Sequence, residues 1–279
     1  MSGTNLLARA MLGLAATTGM GMVTEARATE GDARLQAELG TVSQRRIFFG
    51  HQSVGWNILD GLKKLAAREG VPLRIVEVTG PLSVAPGTFA HGAVDENGKP
   101  GRKLEGFSRA MASGPASPVE ISFVKFCYVD FGVDTDAAHL FALYQATLAD
   151  LKPRNPGTTF VHVTTPLTTV QEGPKALAKR LLGRAPGGVR ENARREEYNA
   201  LLRQAYLGRE PVFDLAALES TRSDGSRVTA EWSGRAIPVL AAEYSEDGGH
   251  LNEAGRLRAA RELVAVLARI PTPAPAPGR

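Results

Sequence analysis

A single cysteine in 279 residues rules out an intrachain disulfide. Cys127 lies in the apolar run 121–129, where a thiol packs as a small hydrophobe. A catalytic thiol is the alternative reading. Aromatic residues are sparse, at 6%, and no aromatic strand, zinc-finger spacing or base-reading basic helix is present. The formal charge of +4 and isoelectric point near 9.3 are mild, so nucleic acid is not an expected partner. The five histidines lack metal-binding spacing such as H-E-x-x-H, and no metal site is expected. No stretch approaches ~18 uninterrupted apolar residues, so no stable membrane insertion is expected of the mature chain.

What is present begins with an export-type leader. Arg9 gives a weak positive start, Ala10 to Val23 form a moderately apolar stretch, and Ala26-Arg27-Ala28 fits a small-x-small cleavage site. Cleavage after Ala28 would leave Thr29 first and place the protein outside the cytoplasm, secreted or periplasmic. The end from Pro271 alternates Pro and Ala and reads as an extended tail, 271–279. Between them, 29–270 is expected to form one domain of roughly 240 residues around one core.

Within that domain, strand-like and helix-like stretches alternate. Arg46 to Phe49 is a short apolar run, and Val54 to Ala67 carries helical spacing in Val54, Ile58, Leu62 and Leu65. Leu73 to Val78 alternates at period two, and Val119 to Phe131 has the β-branched and aromatic composition of a buried central strand. A helix from Asp136 to Leu151, with Asp136 as N-cap and Pro153 beyond its end, precedes a strand at Thr158 to Thr164. A helix from Glu191 to Leu207 ends at Gly208, a strand covers Pro211 to Leu215, and Asn252 to Ala268 is a final helix. This alternation predicts an α/β fold with a mainly parallel sheet, helices on both faces and ligands at the strand C-terminal edge. Three long connections, 81–103, 171–190 and 221–249, read as walls of a cleft on that edge.

Two local features can carry chemistry. Glu246-Asp-Gly-Gly-His-Leu-Asn-Glu-Ala-Gly255 places Asp247 and His250 three apart before a helix, and the glycines allow a bend that brings carboxylate and imidazole together. A plain turn before an N-capped helix fits the same residues. Phe48-Phe-Gly-His-Gln-Ser-Val-Gly55 puts Ser53 at a strand-to-helix junction, where it is either a nucleophile over a helix N-terminus or simply a helix cap.

Together these blocks resemble the SGNH/GDSL hydrolase family over most of the mature sequence. Asp247-Gly-Gly-His-Leu-Asn with Gly255 is similar to that family's last block. Arg194 to Arg203 and Val212 to Glu219 are similar to its penultimate helix and strand. The resemblance implies a three-layer α/β/α sandwich with a mainly parallel five-stranded, flavodoxin-like sheet. It also implies a catalytic triad of Ser53, His250 and Asp247, needing no cofactor.

The chain departs from the family where Gly-Asp-Ser becomes His51-Gln52-Ser53. It departs again where the block supplying an oxyanion-hole Asn is replaced by Cys127-Tyr-Val-Asp130. The Ser53 N–H, a glycine N–H at Gly92 or Gly98, and the side chains of Asn57 or Asn97 are the candidate oxyanion donors. His51 is a candidate cleft residue, and Asp130 is either a site carboxylate or a satisfied turn residue. The basic stretch Lys175, Lys179, Arg180, Arg184, Arg190, Arg194 and Arg195 reads as a solvated face, or as a surface for an acidic glycan or phospholipid.

The expected activity is hydrolysis of carboxylic esters, with acetyl groups on carbohydrate as substrate. An O-acyltransferase using the same triad, and a non-catalytic carbohydrate-binding scaffold on a degenerate site, are the alternatives. Oligomeric state is not legible.

Overall fold

The computed structural model describes residues 31–112 and 119–272. The leader at 1–28 and all but the first two residues of the Pro/Ala tail lie outside that range. A helix over 31–42 (α1) leads into β1 (Arg46–His51), α2 (Val54–Arg68), β2 (Arg74–Glu77) and β3 (Thr88–Ala93). Then come α3 (Pro100–Ala112), β4 (Ile121–Val124), α4 (Ala137–Arg154), β5 (Thr159–Phe160) and β6 (His162–Val163). The chain continues through α5 (Pro174–Leu181), α6 (Val189–Tyr206), β7 (Val212–Phe213) and α7 (Leu215–Glu219). A hairpin of β8 (Thr229–Trp232) and β9 (Arg235–Pro238) precedes the last helix, α8 (Glu253–Ala268).

The five-stranded sheet has the order β2-β3-β1-β4-β5, with every pairing parallel. β1 lies at its centre, and its last five residues are buried, as a strand covered on both faces requires. Phe49 faces one layer and stacks on Phe123 at 4.5 Å, within a core built with α1, α2 and α8. Phe48 faces the other and stacks on Phe107 at 6.1 Å, within a core built with α3, α4 and α6. This is the three-layer α/β/α sandwich. From β1 the chain runs to β2 at one edge, returns through β3, and crosses to β4 on the far side of β1. The C-terminal ends of β1 and β4 therefore flank the point where strand order reverses, the usual place for a ligand crevice.

Several elements differ from the sequence expectations. The Gly-rich connection 81–103 contains β3, which lies between β1 and β2, and the start of α3. The central strand expected over Val119 to Phe131 pairs only from Ile121 to Val124, after which the chain turns into a 3-10 helix at Tyr128–Asp130. The strand at Thr158 to Thr164 is divided: β5 pairs with β4, and two residues on β6 pairs with β7. Helix α4 continues through Pro153 to Arg154, since a proline in the last turn removes little from a helix that ends there. The connections 171–190 and 221–249 contain α5 and the β8–β9 hairpin.

The contact that brings the start of α2 beside the start of α8 is the packing of these two helices. Gly61 of α2 lies so close to the α8 backbone that a Cβ there would sit 2.2 Å from the Arg256 carbonyl oxygen. Arg256 also bonds Asp60 Oδ2 at 3.1 Å. The two helices start at the same sheet edge, so this packing fixes one N-terminus beside the other. Gly61→Ala is expected to lower unfolding free energy by about 1–3 kcal/mol through overpacking, read as a lower urea midpoint. Gly157→Ala, at a position with open space, should stay within about 0.5 kcal/mol of wild type.

Candidate active site

Ser53 follows β1 directly and occupies the N-cap of α2, with φ 49° and ψ −108°. A non-glycine residue in that region is strained, and the surrounding structure must hold it there. A capping serine would accept a bond from the first turn of its helix, yet the Ser53 side chain makes none. Its Oγ instead lies 2.7 Å from His250 Nε2, across 197 residues of sequence. A helix cap does not require that pairing.

The other imidazole nitrogen, Nδ1, lies 2.6 Å from Asp247 Oδ2. Asp247 Oδ1 accepts the backbone N–H groups of Gly249 at 2.9 Å and His250 at 2.7 Å. These bonds, that from Gly249 foremost, together with the His250 ring hold the carboxyl well below the usual carboxylate range. The turn is closed by Ser245, whose hydroxyl donates to the His250 carbonyl at 2.6 Å and accepts from Gly248 N–H at 3.0 Å. Gly248 has φ 85°, so the bend does use glycine's freedom. Asn252 then caps α8 through Gly255 N–H at 3.1 Å. Ser53, His250 and Asp247 form one hydrogen-bonded line, with the His250 and Asp247 side chains 43% and 57% exposed.

A fourth side chain joins them. The Tyr128 hydroxyl stands 3.5 Å from His250 Nε2 and interacts with the Ser53 side chain. Burial is the main influence that raises its pKa, so at neutral pH it is a phenol able to donate. Gly249 packs against it, for a Cβ there would come within 2.8 Å of the Tyr128 ring. Buried Arg195 fixes the Tyr128 backbone, donating to its carbonyl from Nε at 3.1 Å and Nη2 at 2.9 Å. The extended strap after β6 is ordered from the same helix. Asn199 pairs with both backbone groups of Thr165, and Asn192 with both of Thr168. The strap ends by donating from Thr169 N–H to the Gly248 carbonyl at 2.9 Å, which links it to the turn that carries His250.

The other residues singled out from the sequence lie away from this line. Asp130 is buried and bonds Lys103 Nζ at 2.7 Å, Gly98 N–H at 2.7 Å and Cys127 N–H at 2.6 Å. It is the satisfied turn residue, pinning the loop after β3 to the end of β4. His51 is also buried, its ring under the first turn of α2 between Phe49 and Trp56. Gly92 opens into a separate recess of about 300 Å³ on the α3 side of the sheet, lined by Glu77, Val78 and Ala93 among others. Asn57 is engaged by the backbone, its Oδ1 accepting Leu251 N–H at 3.0 Å, and so it positions the His250 turn. Asn97 Oδ1 is taken by Lys103. Arg195, read from sequence as part of a solvated face, is buried.

Tyr128 is the residue sequence reasoning missed. It stood in the quoted block beside Val129, but an unbroken strand through Phe131 hid the turn that brings 128 to the site and leaves Val129 47% exposed. Among the described residues, no group of three or more His, Cys, Asp or Glu could hold a metal ion, and no helix is long and apolar enough to cross a membrane.

No protein-family model and no curated protein matches the chain. Solved structures similar to it include a GDSL-like lipase from Bacteroides thetaiotaomicron, 11% identical over 82% of this chain and 90% of that one, with a TM-score of 0.46. A second is the periplasmic domain of a lipopolysaccharide acetyltransferase from Salmonella ser. Paratyphi A, 11% identical over 81% and 85%, with a TM-score of 0.40. A third is a peptidoglycan O-acetylesterase, 11% identical over 65% and 46%, with a TM-score of 0.41. These activities are those of the neighbours.

Behind Ser53, His51 Nε2 lies 3.2 Å from His91 Nδ1, and burial foremost, with Lys125 and His91 adding, pushes His51 down to about 2. The folded chain therefore keeps this imidazole neutral in acid, whereas the unfolded chain protonates it below about 6.5. Stability is present in full above that value and is lost as pH falls toward about 2. The slope contributed is up to about 1.4 kcal/mol per pH unit. Thermal unfolding followed from pH 7 to pH 4 should show this decline, and His51→Gln should make it shallower.

Proposed function

We propose that the protein is a divergent SGNH/GDSL-type serine hydrolase that cleaves carboxylic esters, with Ser53 as nucleophile. The observation that carries this reading is the Ser53 Oγ to His250 Nε2 contact of 2.7 Å, continued to Asp247 at 2.6 Å. A nucleophile, a base in hydrogen-bond reach and a carboxylate orienting that base are the parts acyl transfer needs. A non-catalytic scaffold would have no use for a strained serine turned away from capping its own helix.

The steps follow from proton chemistry. As Ser53 Oγ bonds the acyl carbon, its proton passes to His250 Nε2. Asp247, accepting from Nδ1, holds the tautomer and stabilises the imidazolium. The ester's alkoxy bond breaks, and the leaving alcohol takes the proton from Nε2. Water then attacks the acyl-serine, giving its proton to Nε2, and as the acyl–Oγ bond breaks Nε2 returns that proton to Ser53 Oγ and the carboxylic acid leaves. The developing oxyanion is met by the Ser53 N–H at the positive end of α2 and by the Tyr128 hydroxyl, which takes the place of an amide side chain. The open setting of His250 and Asp247 suits an ester carried on a bulky alcohol, and acetyl groups on carbohydrate outside the cytoplasm are the substrate class proposed.

On p-nitrophenyl acetate, Ser53→Ala and His250→Ala should each lower kcat/KM by at least about a thousandfold, to background. Equal rates in wild type and both variants would refute the enzyme. Tyr128→Phe, which keeps the ring against Gly249, should lose roughly 100–1,000-fold in kcat with little change in KM, the measure of a missing oxyanion donor. An unchanged kcat would remove Tyr128 from the mechanism.

A further inference from the structure

Helix α5 is built the wrong way round for a helix that belongs only to this core. Ala176 is its buried residue, at 1% exposure, while Leu177, Leu181 and Leu182 are 56%, 80% and 72% exposed. A surface helix normally turns its leucines inward and its small or charged residues outward. Here the helix rests on an alanine and lifts the leucines off the body. Leu177 and Leu181, four apart, share that outer face.

The surroundings of the leucines are cationic. Lys175, Arg180 and Arg184 are exposed and Lys179 half-buried, and across 171–190 the single acidic residue is Glu172. The segment is also held in place. Lys179 Nζ bonds Gln171 Oε1 at 2.7 Å, and Gln171 N–H bonds the Gly187 carbonyl at 2.9 Å. Five residues before α5, Thr169 bonds the Gly248 carbonyl in the turn carrying His250. The strap that leads into α5 is thus tied to the turn carrying His250.

A short leucine face ringed by lysine and arginine is the pattern of a helix lying in a bilayer interface. Its apolar side enters the acyl boundary, and its long basic side chains reach the anionic headgroups. We propose that α5 is a docking site for an anionic lipid surface, holding the protein peripherally. The charge complementarity favours lipid over a second copy of this chain, whose α5 would bring the same positive charge to the contact. The proposal concerns binding and stands apart from the ester-hydrolase reading.

The test is flotation of the full chain with vesicles of phosphatidylglycerol and phosphatidylcholine, and with phosphatidylcholine alone, at low and high salt. Expected is binding to the anionic vesicles at least tenfold stronger than to the neutral ones and weakened by salt. Two variants, Leu177→Gln/Leu181→Gln/Leu182→Gln and Lys175→Glu/Arg180→Glu/Arg184→Glu, should each lose that binding at least tenfold. Leu207→Gln, another exposed leucine at 58%, should retain it. Hydrolysis of soluble p-nitrophenyl acetate should be unchanged in all, since none of these residues touches the triad. Absence of binding, equal binding to both vesicles, or full binding by either triple variant would overturn the proposal. So would a wild-type dimer in light scattering that the leucine variant dissolves, which would assign the face to a second copy.

Discussion

The packing of α2 against α8 is the constraint on which the rest depends. Ser53 sits at the start of α2 and His250 just ahead of α8, nearly the whole domain apart in sequence. Neither helix carries both groups, and no local turn could join them. Gly61 against the Arg256 backbone, the Arg256–Asp60 pair, and the Asn57 bond to Leu251 set the helices in one register. Small residues permit the close approach, and the close approach makes a distance of 2.7 Å possible between the distant side chains.

Around that pair, the polar chemistry is divided between exposed and buried groups. Asp247 keeps its charge near solvent because backbone N–H groups and an imidazole meet it. The buried Lys103–Asp130 pair is instead fully enclosed and holds two loops together. Asn192 and Asn199 supply from α6 the bonds that a neighbouring strand would have supplied to the strap after β6, while Arg195 holds the Tyr128 carbonyl. A buried backbone must find partners, and where the sheet ends, side-chain amides serve. The outcome is a buried, bonded floor under a Ser53–His250–Asp247 line exposed at His250 and Asp247.

Much of this was legible in the sequence, for identifiable reasons. α2 has strong helical periodicity, β1 is a short apolar run, and α6 and α8 carry clear end signals, Gly208 after α6 and Asn252 as the cap of α8. The Asp247 and His250 turn announced itself through its paired glycines, and its place before the last helix tied it to Ser53. What escaped notice lacked such marks. β3 is Thr-Phe-Ala-His-Gly-Ala inside a Gly-rich stretch, and only its position between β1 and β2 makes it a strand. His51 and Arg195 carry charge or polarity that reads as exposed, yet tertiary partners bury both of them. Tyr128 reached the site through a turn at the end of β4 that composition alone does not signal.

The central claim is that the Ser53 hydroxyl is activated by His250. A serine-directed phosphonate, followed by intact mass and peptide mapping, tests it most directly. The account predicts one adduct per chain, on Ser53, formed far more slowly in His250→Ala. A full-length protein left unmodified, or labelled on a different residue, would contradict it.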